Sequence, residues 1–124
     1  VTPVLSIKEG KTMENYFAET RFAVTICDLD GKIVYMNDRA CKVFEKYGGK
    51  NLVGRSLYEC HKETSREMIK KFMTDGTTNA YTIEKAGMKK LIHQSPWFNE
   101  GKIAGLVELS IELPAEMPHF VRTP

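Results

Sequence analysis

Cysteine is scarce and odd in number, with three residues at positions 27, 41 and 60. That fits neither a disulfide framework nor a zinc-binding pattern. Reduced, mostly buried thiols are the plain reading, and a reactive cysteine is its alternative. Long apolar runs are missing too, since nothing approaches the roughly 18 residues that a transmembrane helix needs. The N-terminal stretch holds Pro3, Lys8 and Glu9 where a secretory signal needs an unbroken apolar segment. Charge of one sign is also lacking. The 18 Lys and Arg against 16 Asp and Glu give a net +2, too even for nucleic acid as the main partner. There is no G-x-G-x-x-G, no P-loop, no H-E-x-x-H and no G-x-S-x-G. These absences predict a cytoplasmic protein without a membrane or nucleic-acid partner.

What remains is the composition of one ordinary globular domain: 124 residues, 42% hydrophobic and 27% charged. Residues 1–11 read as a lead-in without fixed structure. Thr12 can cap a short helix, in which Met13, Tyr16 and Phe17 form one apolar stripe. Phe22, Val24 and Ile26 then alternate with Ala23, Thr25 and Cys27 as in a strand. Asp30-Gly31 predicts a type I′ hairpin, and Ile33 to Met36 predicts its return strand. Asn37 or Asp38 opens a helix with Ala40, Val43, Phe44 and Tyr47 on one face, ended by Gly48-Gly49.

After an irregular stretch from Leu52 to Cys60, Thr64-Ser65-Arg66-Glu67 has the form of a capping box. It predicts a helix that buries Met68, Ile69, Phe72 and Met73 and stops near Asp75-Gly76. Lys62, Arg66 and Lys70 recur by four, as on a solvated face. Ala80–Glu84 reads as a strand, with a turn at Ala86-Gly87. Met88–Phe98 is a longer strand interrupted late by Pro96. A polar loop at Asn99–Lys102 leads to the clearest strand, in which Ile103, Gly105, Val107, Leu109, Ile111 and Leu113 form one apolar face. Strands in two blocks around a helical insertion predict an α+β fold, a single antiparallel sheet with helices on one face. The prolines of the tail, at 114, 118 and 124, exclude a long helix there.

Few residues offer chemistry. Cys60 and His61 are neighbours, but adjacent side chains of an extended segment point apart, and no third group stands out to orient them. A small enzyme using Cys60 is therefore kept only as a class to be tested. The three histidines are unclustered and offer no zinc site. His61 precedes the capping box, where it is either a helix-end hydrogen-bonder or an axial haem ligand.

In their order these residues resemble a PAS domain. The matching pieces are A-V-T-I-C-D-L-D-G-K-I-V-Y-M-N-D-R-A-C at 23–41, N-L-V-G-R-S-L at 51–57, the helix at 64–75 and S-P-W-F-N-E-G-K-I-A-G-L-V-E-L at 95–109. The resemblance implies a five-stranded antiparallel sheet in the order 2-1-5-4-3 with helices cupping one face. It divides the chain into an extension with a short cap helix (1–21), a PAS domain (22–113) and a proline-containing tail (114–124). It also implies sensing or protein contact rather than catalysis, with haem, flavin or a small metabolite between sheet and helices, or nothing. The family's flavin-photoreceptor motif N-C-R-F-L-Q is absent, so blue-light flavin photochemistry is not expected. Its usual exit, D-I-T and a coiled-coil linker, is replaced by Ser110-Ile111-Glu112-Leu113-Pro114, which leaves the downstream effector unknown.

The expected function is a non-catalytic sensory module that binds a small apolar or aromatic ligand without a metal and forms a homodimer. The helix of Met13, Tyr16 and Phe17 is expected on the open sheet face or on a partner chain. The alternatives are a haem-dependent gas or redox sensor with His61 as axial ligand, and an interaction module with no ligand. The predicted ligand site comprises Phe44, Tyr58, His61, Met68, Ile69, Phe72, Val107 and Leu109.

Overall fold

A computed structural model describes residues 13–124, with Met13, Glu14 and Cys60 described by their backbone alone. The expected lead-in and the Thr12 cap lie outside the described residues. The elements are α1 (Met13–Phe17), β1 (Ala23–Asp28), β2 (Ile33–Met36), α2 (Asp38–Val43), α3 (Glu63–Asp75), β3 (Asn79–Lys85), β4 (Met88–Asn99) and β5 (Lys102–Leu113). Three 3-10 turns, Glu45–Tyr47, Gly49–Leu52 and Leu57–Cys60, bridge α2 to α3. The strands form one antiparallel sheet in the order β2-β1-β5-β4-β3, as the resemblance implied.

Asn37 ties the entry of the fold together. It is 1% exposed and caps α2, its Oδ1 accepting from the amides of Ala40 (3.0 Å) and Val24 (2.9 Å). Its Nδ2 donates to the carbonyls of Phe17 (2.8 Å) and Phe22 (2.9 Å) and to Thr20 Oγ1 (3.0 Å). One amide thereby joins the end of α1, the start of β1 and the first turn of α2. Buried polar groups persist only when satisfied in this way.

Several local expectations change. The Asp30-Gly31 hairpin is not type I′, because Gly31 has φ +81° but Asp30 is not at positive φ. Asp28 overrides the dipeptide: its Oδ1 accepts from the amides of both Asp30 (3.0 Å) and Lys32 (2.9 Å). The residues that have positive φ at both central positions of a hairpin are Ala86-Gly87 and Glu100-Gly101, the pairs that close β3–β4 and β4–β5.

The helix of Ala40 to Tyr47 stops at Val43 and tightens into 3-10 turns, with Gly49 at φ +55°. The capping box does not form. α3 begins at Glu63, its cap is Lys62 without a side-chain bond, and Arg66 Nε instead donates to the His61 carbonyl at 2.9 Å. Gly76, left-handed at φ 76°, closes the helix as predicted.

Pro96 does not interrupt β4, which runs through it paired with Leu106 of β5. On the other side, β3 ends its pairing at Asn79–Gln94, so Pro96 lies where β4 has a partner on one side only.

The helices and turns cover one face of the sheet. Ala23, Cys27, Ile33, Met36 and Leu106 from the sheet meet Ala40, Leu52, Leu57, Ile69, Phe72 and Met73 in one core. A shift in the β4–β5 register between Trp97 and Phe98 turns Ile103 inward against this core. Beyond it, β5 alternates so that Leu106, Glu108 and Ser110 face the helices.

Candidate ligand cavity

The core does not fill the whole space between the helices and the sheet. A cavity of about 400 Å³ remains over β5, β4 and β3, at the lower end of the range for small-molecule sites. Met36, Phe44, Leu52, Leu57, Ile69, Ile92 and Leu106 form its apolar wall. Val43, Tyr47, Tyr81, Ile83, Lys85 and Lys90 also line it, all but Lys90 exposed.

Its floor is polar along one rung of the sheet. Thr25, Glu108, Gln94 and Asn79 stand in register on β1, β5, β4 and β3. Asn79 Nδ2 donates to Gln94 Oε1 at 3.1 Å, and Gln94 Nε2 donates to Glu108 Oε2 at 2.7 Å. A carboxylate can only accept, so Glu108 fixes the direction of the relay. Burial, and then the charge of Glu108, raise the Tyr81 hydroxyl above its ordinary pKa.

His61 lies at the edge of the cavity. Its Nδ1 is 2.6 Å from the Leu57 carbonyl. A carbonyl only accepts, so Nδ1 is the donor, and the tautomer with its single proton there has its lone pair on Nε2. The side chain of Cys60 lies outside the described residues. Among those residues no group of three or more His, Cys, Asp or Glu could hold a metal ion.

Of the expected site residues, Phe44, His61 and Ile69 line the cavity. Phe72 is buried in the closed part of the core, and Tyr58 packs beside Gly31. Met68 points away and is 50% exposed. Val107 and Leu109 are the largest correction. They pair with Ile26 and Val24 of β1 on the opposite face of the sheet from Glu108 and Ser110. Pleating sends successive side chains to opposite faces, so both cannot share a site with Glu108. The residues missed were Thr25, Gln94, Glu108 and Ser110. Their signal in the sequence was the polar alternate face of β5; the polar residues beside it on β1 and β4 show only with the register.

Cys27 also lines the cavity. Burial pushes its thiol up to about 11 from 9.0, with Asp28 and Glu108 adding to the rise. The folded state then holds this proton where the unfolded state has lost it. Its contribution to stability is full below about pH 9 and is lost as pH rises through about 11. Melting temperatures from pH 8 to 11 should therefore fall less steeply in Cys27→Ala than in the parent. Equal slopes would show that Cys27 carries no such linkage.

No curated protein matches the chain. Among solved structures it is similar to the PAS domain of the histidine kinase ThkA. The TM-score is 0.60 at 18% identity, over 73% of this chain and 97% of that one. It is similar to VqmA bound to DPO, with TM-score 0.61 and 17% identity over 84% of this chain and 58% of that one. It is similar also to the Aer2 receptor from Vibrio cholerae, described as a dual PAS-heme oxygen sensor, with TM-score 0.55 and 12% identity over 75% and 95%. At these identities the likeness is one of fold. A PAS domain profile matches residues 21–100; with the sheet order and the helices on one face, it follows that the chain belongs to the PAS domain family.

Proposed function

We propose that this PAS domain is a non-catalytic sensory module whose signal is a small, largely apolar or aromatic molecule seated in the cavity. The observation that carries this reading is the cavity itself, a space of about 400 Å³ with an apolar wall and a few placed polar groups. VqmA, similar in fold, is described as bound to DPO. Filling the space should abolish binding. Ile69→Trp places an indole where the helix meets the cavity, whereas Met68→Trp, on the exposed side of the same helix, serves as the control. Native mass spectrometry of protein purified from cells should show an added mass that Ile69→Trp loses and Met68→Trp keeps. Retention of that mass in a folded Ile69→Trp would place the ligand elsewhere.

A second reading has its own observation. The His61 ring, held through Nδ1 by the Leu57 carbonyl, has no hydrogen-bond partner at Nε2 among the described residues. A second hydrogen bond of that kind is what orients metal-bound imidazoles. His61 would then hold haem iron, which supplies gas binding or redox response when present. A Soret band that disappears in His61→Ala would select this reading. A native mass increment without a Soret band, only modestly reduced in His61→Ala, selects the first.

The homodimer rests on the outer sheet face, where Ile26, Leu91, Val107, Leu109 and Ile111 form a half-buried apolar surface. A two-fold contact through such a surface suits a soluble pair. Light scattering should give twice the chain mass for the parent and the chain mass for Leu109→Lys. A monomer in both would refute the dimer.

A further inference from the structure

We infer that the ligand presents a hydrogen-bond donor, an N–H or a cationic nitrogen, to the Glu108 carboxylate on the cavity floor. This rests on the ligand reading above and names the chemistry of the ligand's polar end. Glu108 is a half-buried carboxylate facing the cavity beside Leu106. One of its oxygens accepts from Gln94 Nε2 at 2.7 Å. The other has no hydrogen-bond partner among the described residues. The relay from Asn79 through Gln94 arrives as a donor, so it holds the carboxylate in place without offering the ligand a donor of its own.

Among the described residues the one salt bridge is Arg55–Glu59, so neither Lys85 nor Lys90, both lining the cavity, forms an ion pair with Glu108. A ligand that covers the floor removes water from the free oxygen. Without a donor in the water's place, that costs the desolvation of a charged acceptor. An anionic head group adds repulsion. A planar body against Phe44 and Ile69 with an amidine, amide or ring N–H at Glu108 meets both demands.

Four probes of one shape but different head group separate these demands: benzamidine (cationic donor), benzamide (neutral donor), toluene (no donor) and benzoate (anion). Their affinities are measured by ligand-observed NMR on the full chain. Benzamidine and benzamide should bind more tightly than toluene, and benzoate most weakly. Glu108→Gln should cut the preference for benzamidine over toluene about ten-fold, the scale of one charged hydrogen bond. Glu108→Leu should make toluene the tightest of the four, which gives a gain that an unfolded variant could not show.

Benzoate binding as tightly as benzamidine, or a preference unchanged in Glu108→Gln, would overturn the inference. If all four bind equally and Ile69→Trp blocks them, the cavity reading stands and this inference fails. If none binds the parent protein, both fail.

Discussion

Asn37→Ala is expected to cost about 2–4 kcal/mol, a large part of the roughly 5–15 kcal/mol that holds a domain of this size. The estimate sums two mechanisms. Loss of a helix N-cap costs about 1 kcal/mol, and buried partners left unsatisfied cost about 1–3 kcal/mol more. The amides of Val24 and Ala40 lose their acceptor, and the carbonyls of Phe17 and Phe22 lose their donor. Asn37→Asp should cost at least as much, because a buried carboxylate cannot donate and meets the Phe17 and Phe22 carbonyls as a charge. Urea unfolding should show a lowered midpoint at similar slope for both variants. A loss below about 1 kcal/mol for Asn37→Ala would mean that water replaces the amide and that it does not join the three elements.

Gly105→Ala is expected to be nearly as damaging, at about 3 kcal/mol, the upper end for overpacking. Gly105 pairs with Asp28 of β1 and Trp97 of β4, and the Trp97 indole crosses it to donate from Nε1 to the Cys27 carbonyl at 2.9 Å. A methyl group there would overlap that carbonyl oxygen and the indole nitrogen. The obstacle is backbone on one side and a fixed hydrogen bond on the other, so neither yields without opening the β1–β5 ladder. The Trp97 fluorescence should shift to the red along with the loss of stability, as the indole is released. A variant with parental melting temperature and emission would show that the indole does not lie across Gly105.

The same two sites mark what the sequence could convey. The strands, the α2 start at Asn37 and the α3 stop at Gly76 are local, and alternation, a capping residue and a left-handed glycine announce them. Strand order is not local; it came from resemblance rather than from periodicity. The capping box at Thr64 to Glu67 was a local signal that lost, since the helix takes its cap two residues earlier, at Lys62, and the Arg66 guanidinium donates to the His61 carbonyl.

The cavity was legible only in part. Phe44 and Ile69 follow from helix faces, and His61 from its place at the entrance of α3. The floor was assigned to the wrong side of β5, because apolar alternation ordinarily marks the face that packs on the core. Here Val107, Leu109 and Ile111 form an apolar outer face, while the inward face carries Glu108 and Ser110 above a space that the core leaves open. A strand with one apolar and one charged face does not say which face meets the helices. The polar rung of Thr25, Glu108, Gln94 and Asn79 appears only once the register is known.

The proposed ligand enters between α3 and the inward face of β4 and β5. Methyl-resolved NMR of the parent protein titrated with toluene tests it most directly. Shifts should concentrate on the methyl groups of Leu52, Ile69, Ile92 and Leu106, with Val107, Leu109 and Ile111 unmoved. Shifts centred on Val107 and Leu109, or no saturable shift at Ile69 and Leu106, would contradict it.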